Sequence, residues 1–396
     1  MKILVVNAGS SSLKFQLIDM ETEQPIIKGG CERIGTDGSF IEVKVGGEKY
    51  KTVEPMPNHT VALKSVLREI TDKDHGVIAD VSEIDAVGHR VLHSGEDFKG
   101  TVLIDDEVLK ICEKNEPLGP LHMPANIACI KSCMEILPGV PMAAVFDTAF
   151  HSTMEPKAFL YGLPYEMYED WKVRRYGFHG TSHKYVSGEA IKYLGNPDAK
   201  IVTCHLGNGS SIAAVKAGKC VDTSMGFTPL EGLVMGTRCG DIDPAAIEFV
   251  MQKTGMDMHE MVTFLNKKCG ILGLGTTGSD FRDLTVAKNN GEYRAQLAFD
   301  IFTYRVKKFI GAYAVAMGGL DCVVFCGGVG ENDEYVRELI MRDMEWLGID
   351  FDLEKSNNVG KGPSGIIDLS GNGKTKVLII PTNEELVIAR ETRDLI

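Results

Sequence analysis

The feature that most constrains the fold is a strand–turn–strand pattern that occurs twice in the chain. Residues 4–17, LVVNAGSSSLKFQL, pass from an apolar segment through a Gly/Ser-rich turn into a segment of alternating apolar and polar residues. Residues 202–215, VTCHLGNGSSIAAV, repeat this order. Two such hairpins indicate two duplicated lobes, and chance similarity between two Gly/Ser-rich turns is the alternative.

The tip of the first hairpin has the chemistry of an anion site. A Gly-containing connection between strands exposes backbone N–H groups, and residues 10–12 add three consecutive hydroxyls. An ordinary polar turn accounts for the same residues. Taken alone, this stretch leaves both interpretations open.

The chain has 396 residues, which is more than one hydrophobic core usually spans, so two domains are expected. Short apolar strands alternate with helical patterns throughout, which predicts an α/β fold. A strand ends within VPMAAVFDTAF and a looser aromatic stretch follows, so the first domain is predicted to cover residues 1–149 and the second 150–382. Residues 383–396 have a helical pattern and are predicted to return to the first domain.

Charge and hydropathy exclude several classes of partner. The formal net charge is −13, so a broad nucleic-acid surface and an anionic membrane are both excluded, and an anionic ligand needs locally placed Lys and Arg. No apolar run reaches the length of a membrane span. The N-terminus enters a strand without a basic region and a cleavage site, so a cytoplasmic protein is expected.

Ten cysteines and two His-x-x-x-His pairs raise the question of disulfides or zinc. There is no Cys-x-x-Cys pair, and several cysteines lie inside apolar segments, so reduced, buried thiols are expected. The pairs His89/His93 and His179/His183 lack the Glu of a zinc-binding motif, so structural roles are favoured over a metal for these histidines.

The segment FCGGVGEN, residues 325–332, lies between an apolar strand and a helical pattern. Such a Gly-rich turn lets the backbone approach a nucleotide phosphate. It lacks the third Gly of the Rossmann fingerprint, and the chain has no P-loop motif. An adenosine-phosphate turn of another kind is therefore the interpretation that remains.

Charged residues near predicted strand ends complete the inventory. Arg90, Arg238 and Arg282 are candidates for binding a carboxylate or phosphate, with surface salt bridges as the alternative. Asp147 and Glu384 follow predicted strands, where a carboxylate can face a metal or a phosphate, or simply cap a helix. Together these features predict phosphoryl transfer from a magnesium-bound nucleotide.

At this point the sequence resembles the acetate kinase family of the actin-like sugar and acetate kinases, over essentially its whole length. NAGSSSLKF and VGHRVLHSGE resemble the two signature segments of that family, and HLGNGSS, GTRCGDIDP, GGVGEN and PTNEE follow in its order. The resemblance implies two RNase H-like lobes with an active site in the cleft between them, and a homodimer. Residues 1–149 with 383–396 would form the acetate and phosphate side, and residues 150–382 the nucleotide side.

The implied reaction is the reversible, Mg²⁺-dependent transfer of a phosphoryl group from ATP to acetate, giving acetyl phosphate and ADP. A kinase for propionate or another short-chain acid is the alternative, and Mn²⁺ is the alternative metal. Two rivals from other classes are a nucleotide-gated, actin-like assembly protein and an NAD-dependent oxidoreductase. The segments GHRVLHSG and YGFHGTSH count against the first, and the incomplete glycine pattern counts against the second.

The resemblance also implies roles for individual residues. Asn7 and Glu384 would hold the metal, and Lys14 would face the nucleotide phosphates. Arg90 and Arg238 would bind the carboxylate and the moving phosphoryl group, His179 would stabilise the transition state, and Asp147 would be the catalytic carboxylate, which we expect to orient charge rather than remove a proton because acetate is already ionised. The methyl pocket would be formed by Leu92, Leu121, Phe178 and Pro229, where Leu92 stands in place of the expected Val. The nucleotide site would be lined by His205, Leu206, Gly207, Asn208, Gly209, Asp280, Phe281, Arg282, Gly328, Val329, Gly330, Glu331 and Asn332.

Overall fold

The structure is a computed structural model that describes residues 1–120, 122–275 and 278–396. The described residues form two structural units. The first consists of Met1–Phe150 together with Asn383–Ile396, and the second of His151–Thr382. Each unit has its own mixed β-sheet.

The described part of the first unit has eight strands in one sheet. They are β1 (Lys2–Ala8), β2 (Ser12–Asp19), β3 (Gln24–Glu32), β4 (Phe40–Val45), β5 (Glu48–Val53), β6 (Ala86–Val91), β7 (Val102–Leu103) and β8 (Met142–Phe146). The order across the sheet is β5-β4-β3-β2-β1-β6-β8-β7. Strands β1 to β5 form an antiparallel meander, whereas β6 and β8 run parallel to β1.

Helices cover both faces of this sheet. Within residues 1–150 the helices are α1 (His59–Ile70), α2 (Asp106–Lys114) and α3 (Met123–Ile136), with 3₁₀ turns at Val81–Glu83 and Glu116–Leu118. On β1, Leu4 and Val6 pack toward the core beneath α1 and α3, whereas Ile3 and Val5 belong to a separate cluster on the other face. Because both faces of β1 are buried, its sequence is a continuous run of apolar residues.

The second unit is built on a six-stranded sheet among its described residues. Its strands are β9 (Lys200–Leu206), β10 (Ser210–Lys216), β11 (Lys219–Thr223), β12 (Cys322–Cys326), β13 (Ile367–Asp368) and β14 (Lys376–Ile379). Its helices are α4 (Pro156–Phe159), α5 (Glu166–Trp171), α6 (Gly180–Leu194), α7 (Pro244–Thr254), α8 (Met258–Lys267), α9 (Gly270–Leu274), α10 (Phe281–Asn289), α11 (Tyr293–Met317), α12 (Gly327–Asn332), α13 (Glu334–Met341) and α14 (Leu353–Asn357), with a 3₁₀ turn at Glu345–Leu347. The chain then re-enters the first unit as α15 (Glu384–Arg393), which packs against β1, β6 and β8.

The two sheets share a topology. The order in the second is β11-β10-β9-β12-β14-β13, with β9, β10 and β11 antiparallel and β12 and β14 parallel to β9. The hairpins β1–β2 and β9–β10 therefore occupy equivalent positions, next to the parallel strands of their sheets. The repeated sequence pattern is a structural repeat and not a chance similarity.

Two helices have ends that are typical of their sequences. Helix α7 begins at Pro244 after an N-cap in which the Asp243 side chain accepts a hydrogen bond from the backbone N–H of Ala245, and α11 ends at Gly318 in a left-handed conformation with φ 68°. The predicted Gly-rich turn after β12 is not formed, because residues 327–332 fold into the short helix α12. Within the described residues, no helix combines the length and the apolar character needed to cross a bilayer.

Candidate active site

Strand alternation brings the predicted residues of the first unit to one face of its sheet. Val5 on β1, Ala86 on β6 and Val145 on β8 all belong to the apolar cluster that includes α15. Because side chains on one face recur at every second residue, Asn7, Arg90 and Asp147 continue the same face at the carboxyl ends of these strands. Glu384 begins α15 above them.

Arg90 and Asp147 form a bidentate ion pair at the centre of this cluster. The guanidinium Nε and Nη2 donate to Oδ1 and Oδ2 of Asp147 at 2.8 and 2.6 Å. Burial of Asp147 raises the pKa of its carboxyl group, and Arg90 opposes this shift. Burial works against the charge on Arg90, but the Asp147 carboxylate keeps the pKa of Arg90 above its ordinary value. Arg90 is the penultimate residue of β6, so the strand fixes its position.

Two further predicted residues lie next to this pair, and Lys14 lies on the neighbouring strand. The Asn7 side-chain oxygen accepts from Arg90 Nη1 at 3.3 Å, and a Glu384 oxygen lies 4.0 Å from Arg90 Nε. Lys14 is the direct cross-strand partner of Asn7, and its charge acts on the neighbouring Glu385, whose pKa is raised chiefly by burial. Asn7 and Glu384 supply only oxygen donors, which suit a hard divalent cation such as Mg²⁺.

No sequence motif predicted a role for Asn126, although this residue connects two parts of the site. Its amide nitrogen donates to the Ala8 carbonyl at 2.7 Å, and its amide oxygen accepts from the Leu92 backbone at 3.0 Å. It therefore ties α3 to the ends of β1 and β6. A polar residue in the apolar stretch MPANIACI was the signal that could have identified it. Leu92 itself is buried against Gly119, and Leu121 lies outside the described residues.

In the second unit, His179 belongs to a buried hydrogen-bond network. It precedes α6 in a left-handed conformation with φ 56°, and its Nδ1 lies 2.9 Å from Ser211 Oγ. Ser211 Oγ also lies 2.7 Å from Nε2 of His183, whose Nδ1 is 2.7 Å from Thr203 Oγ1. Burial lowers the pKa of His183 far below its ordinary value, so this ring is neutral and has one donor and one acceptor.

One arrangement of protons satisfies all of these contacts. Thr203 Oγ1 donates to the Ala213 carbonyl at 3.4 Å, so it accepts from Nδ1–H of His183. Nε2 of His183 then accepts from the Ser211 hydroxyl, whose oxygen accepts from Nδ1–H of His179. A second proton on His179 would be carried by Nε2. The sequence showed the His179/His183 spacing but not the serine that joins the two rings.

Arg238 lies beside His179, and no carboxylate pairs with its guanidinium among the described residues. A Cβ atom placed on Gly209 would be 3.5 Å from both Arg238 Nη1 and His179 Nε2, so glycine lets these two groups approach the hairpin tip. Arg238 Nη1 donates to the Pro229 carbonyl at 3.1 Å. Burial lowers the pKa of Arg238, and among the described residues no acidic side chain forms an ion pair with it. Phe178 is buried in the same unit, and its carbonyl faces His151 Nε2 at 2.8 Å.

A cavity of about 730 Å³ opens in the second unit. The predicted nucleotide residues in its lining are Gly207, Asn208, Asp280, Phe281, Arg282, Gly328, Val329 and Asn332. Residues that the sequence did not point to also line it, namely Ser279, Thr285, Asp333, Glu334, Tyr335 and Lys361. Its size is that of a small-molecule ligand pocket.

Five residues predicted for the nucleotide site lie outside this lining. His205 stacks on His179 with ring centroids 4.3 Å apart, Leu206 is in the core, and Gly209 is at the hairpin tip. Gly330 is buried on α12, and a Glu331 oxygen accepts from the backbone N–H groups of Gly327 and Thr382 at 2.8 and 3.1 Å. Roles for them in nucleotide binding remain predictions.

Comparison with known proteins decides the family. A model of the Acetokinase family matches residues 2–390. The chain belongs to this family. It is 54% identical over 399 residues to the acetate kinase of Thermotoga maritima, with 100% of this chain and 99% of the relative covered.

Solved structures of acetokinase relatives have the same fold. The acetate kinase of Porphyromonas gingivalis superposes with a TM-score of 0.95 at 45% identity, covering 100% of this chain and 99% of that chain. A propionate kinase from Francisella tularensis gives a TM-score of 0.93 at 39% identity, covering 100% of both chains. The predicted α/β fold is thereby confirmed.

Proposed function

We propose that this acetokinase-family chain is an acetate kinase. It would catalyse the reversible transfer of a phosphoryl group from ATP to acetate, which gives acetyl phosphate and ADP. The observation that carries the proposal is the 54% identity with the Thermotoga maritima acetate kinase over the full length of both chains. A cytoplasmic location remains a prediction from the sequence.

The roles that we assign follow from charge. Acetate is ionised near neutral pH, so no side chain has to remove a proton from it. The barrier comes from bringing two anions together, and Arg90 and Arg238 are proposed to bind the carboxylate and the transferring phosphoryl group. Asp147 would hold the Arg90 guanidinium in one orientation, as its two short hydrogen bonds allow. His179, whose Nδ1 proton would be held by Ser211, would donate from Nε2 to the phosphoryl oxygens in its doubly protonated form.

We assign different ligands to the two structural units. Asn7 and Glu384 of the first unit would hold Mg²⁺, or Mn²⁺, largely through water; the bound ion would neutralise phosphate charge. The cavity of the second unit would bind the adenosine part of ATP, with Lys14 contributing to phosphate binding. We therefore assign the first unit to acetate and phosphate and the second to the nucleotide.

Propionate is the substrate alternative, because a propionate kinase is among the close structural relatives. The position of Leu92 favours acetate over propionate as the substrate. It packs against Gly119, where an added Cβ atom would lie 2.6 Å from Leu92 Cδ2, so little free space remains beside it. We therefore propose a pocket that favours acetate.

The test measures acyl phosphate formation with purified protein, ATP and Mg²⁺, trapping the product with hydroxylamine. We expect acetyl hydroxamate that depends on both ATP and Mg²⁺, and a kcat/KM for acetate that exceeds that for propionate by roughly 10- to 100-fold, as for one methylene in an apolar pocket. A preference for butyrate would overturn the substrate assignment. ATP hydrolysis without trapped acyl phosphate would overturn the proposed reaction.

A variant of the pocket provides the matched comparison. Leu92→Val removes one methylene and should raise kcat/KM for propionate relative to acetate, with little change in the KM for ATP. Ile104→Val makes the same type of change in a partly buried residue of the first unit's core, and should leave the ratio unchanged.

We also propose that the protein is a homodimer and that the second copy covers the face formed by α7 and α8. Helix α7 has no buried residue, although its sequence AAIEFVM is apolar except for Glu248. Ile242, Phe249, Met258 and Val262 on or next to these helices expose 42, 59, 60 and 45% of their surface. An apolar face of this kind is typical of a protein–protein interface.

A charge placed on this face should separate the subunits. We expect the wild type to sediment as a dimer and Phe249→Asp as a monomer, because a carboxylate in an apolar interface would lose its hydration without a partner. Val53→Asp, at an exposed position on the edge strand β5, is the control and should stay dimeric. A monomeric wild type, or a Phe249→Asp variant that remains dimeric, would contradict the assignment of this face.

A further inference from the structure

A cluster of soft ligand atoms lies on the face of the first sheet opposite to Arg90. His89 is on β6, and Cys129 and Cys133 are one turn apart on α3. One donor atom from each of the three lies within 4.8 Å of the other two. The residues are 2, 1 and 0% exposed. None of them has a role in the reaction proposed above.

The hydrogen bonding of the cluster is incomplete. Nε2 of His89 is buried and has no hydrogen-bond partner among the described residues, which is costly for a ring nitrogen. Cys129 and Cys133 interact with each other, and the bond from Cys133, followed by the His89 imidazole, lowers the pKa of the Cys129 thiol. The same interaction and burial raise the pKa of Cys133.

The donor set selects a class of ligand. Thiolate and imidazole donors suit Zn²⁺ or Cu⁺, whereas Mg²⁺ prefers oxygen. At metal–sulfur and metal–nitrogen distances of about 2.3 and 2.0 Å, tetrahedral ligands lie roughly 3.5–3.8 Å apart, so small side-chain movements would suffice. Two thiolates would neutralise Zn²⁺, and one thiolate would neutralise Cu⁺, so neither ion would leave net charge in the core.

We propose that His89, Cys129 and Cys133 form a binding site for a thiophilic metal ion, Zn²⁺ or Cu⁺, within the first unit. Such a site would join β6 to α3 behind the proposed active site. His89 directly precedes Arg90, and Asn126, which holds the ends of β1 and β6, lies one turn before Cys129 on α3. Bound metal would therefore stabilise the strand that carries Arg90.

The experiment uses the reduced, full-length protein, incubated anaerobically with Zn²⁺ or Cu⁺ alone and then dialysed. We expect about one equivalent of one of these ions to remain bound and to raise the unfolding temperature. Cys129→Ser and Cys133→Ser should each weaken binding by at least roughly 100-fold, because each removes a direct ligand. Cys112→Ser is the control, since Cys112 is a buried thiol of the same unit outside the cluster.

A spectroscopic readout protects the test against variants that misfold. Co²⁺ added to the wild-type protein should give a thiolate-to-metal charge-transfer band, which the oxygen ligands proposed for Mg²⁺ cannot produce. The assignment fails if the wild type shows no such band and retains neither Zn²⁺ nor Cu⁺. It also fails if a folded Cys129→Ser/Cys133→Ser variant retains as much metal as the wild type.

Discussion

Replacement of Arg238 by alanine is expected to lower kcat for acetyl phosphate formation by about 10²–10³-fold, the loss typical of one group that stabilises charge in a transition state. The fold of the second unit should be retained. Arg238→Lys should have intermediate activity, because lysine keeps the positive charge but not the planar arrangement of donors. Steady-state kinetics and the far-ultraviolet circular dichroism of both variants provide the measurements.

We expect this loss of activity because few groups in the structure bind the Arg238 guanidinium. Its one hydrogen bond to oxygen goes to the Pro229 carbonyl, and among the described residues it has no acidic partner. Arg337, also buried, shows the structural alternative: its guanidinium donates to Ser356 and to the carbonyls of Gly330 and Glu331. An arginine satisfied in that way holds the fold together. Arg238 keeps its charge and most of its donors for an anion.

The control for Arg238 is Arg342→Ala. Arg342 is an exposed arginine that directly follows α13 in the same unit, and among the described side chains it pairs only with Glu338 of that helix. This variant should keep wild-type kcat, because an exposed pair of this type contributes little. If Arg238→Ala kept kcat within about threefold of wild type, Arg238 would not act on the transition state.

The fold could be predicted well from the sequence because its signals are local. The alternation of Leu13, Phe15 and Leu17 with exposed Lys14 marks β2, and Gly318 ends α11. Residues 327–332 were the exception. A run of glycines predicts a turn from local preference, whereas here the segment packs as a short helix against β9 and β12, which local preference does not reveal.

The grouping of residues in the candidate site could be predicted only where a motif carries it. Asn7, Arg90 and Asp147 lie at strand ends, so strand alternation alone brings them to one face. Asn126 and Ser211 act through hydrogen bonds to residues 118 and 32 positions away, and nothing in their local sequence records those partners. Tyr335 and Lys361, which line the cavity, were also not predicted. Their positions depend on how helices and loops of the second unit pack around the cavity, which the local sequence does not record.

Replacement of Asp147 by asparagine is expected to lower kcat by about 10²-fold or more, with a pH profile of the same shape as that of the wild type. Both carboxylate oxygens accept from Arg90, and asparagine would place an NH₂ group against one of these donors. Arg90 would then lose its fixed orientation and its buried counter-charge. If Asp147 instead removed a proton, the acid limb of the wild-type profile would disappear in the variant.

A double-mutant cycle separates orientation from any independent chemistry of Asp147. Because the carboxylate acts through Arg90, the Arg90→Ala/Asp147→Asn variant should lose no more activity than Arg90→Ala alone, whereas independent roles would multiply the two losses. Glu54→Gln is the matched control, since Glu54 forms a bidentate pair with Arg68 in the same unit, away from the proposed site, and should leave kcat unchanged. Multiplicative losses in the Arg90/Asp147 cycle would mean that Asp147 contacts the reacting groups itself, and its bond to Arg90 would then be secondary.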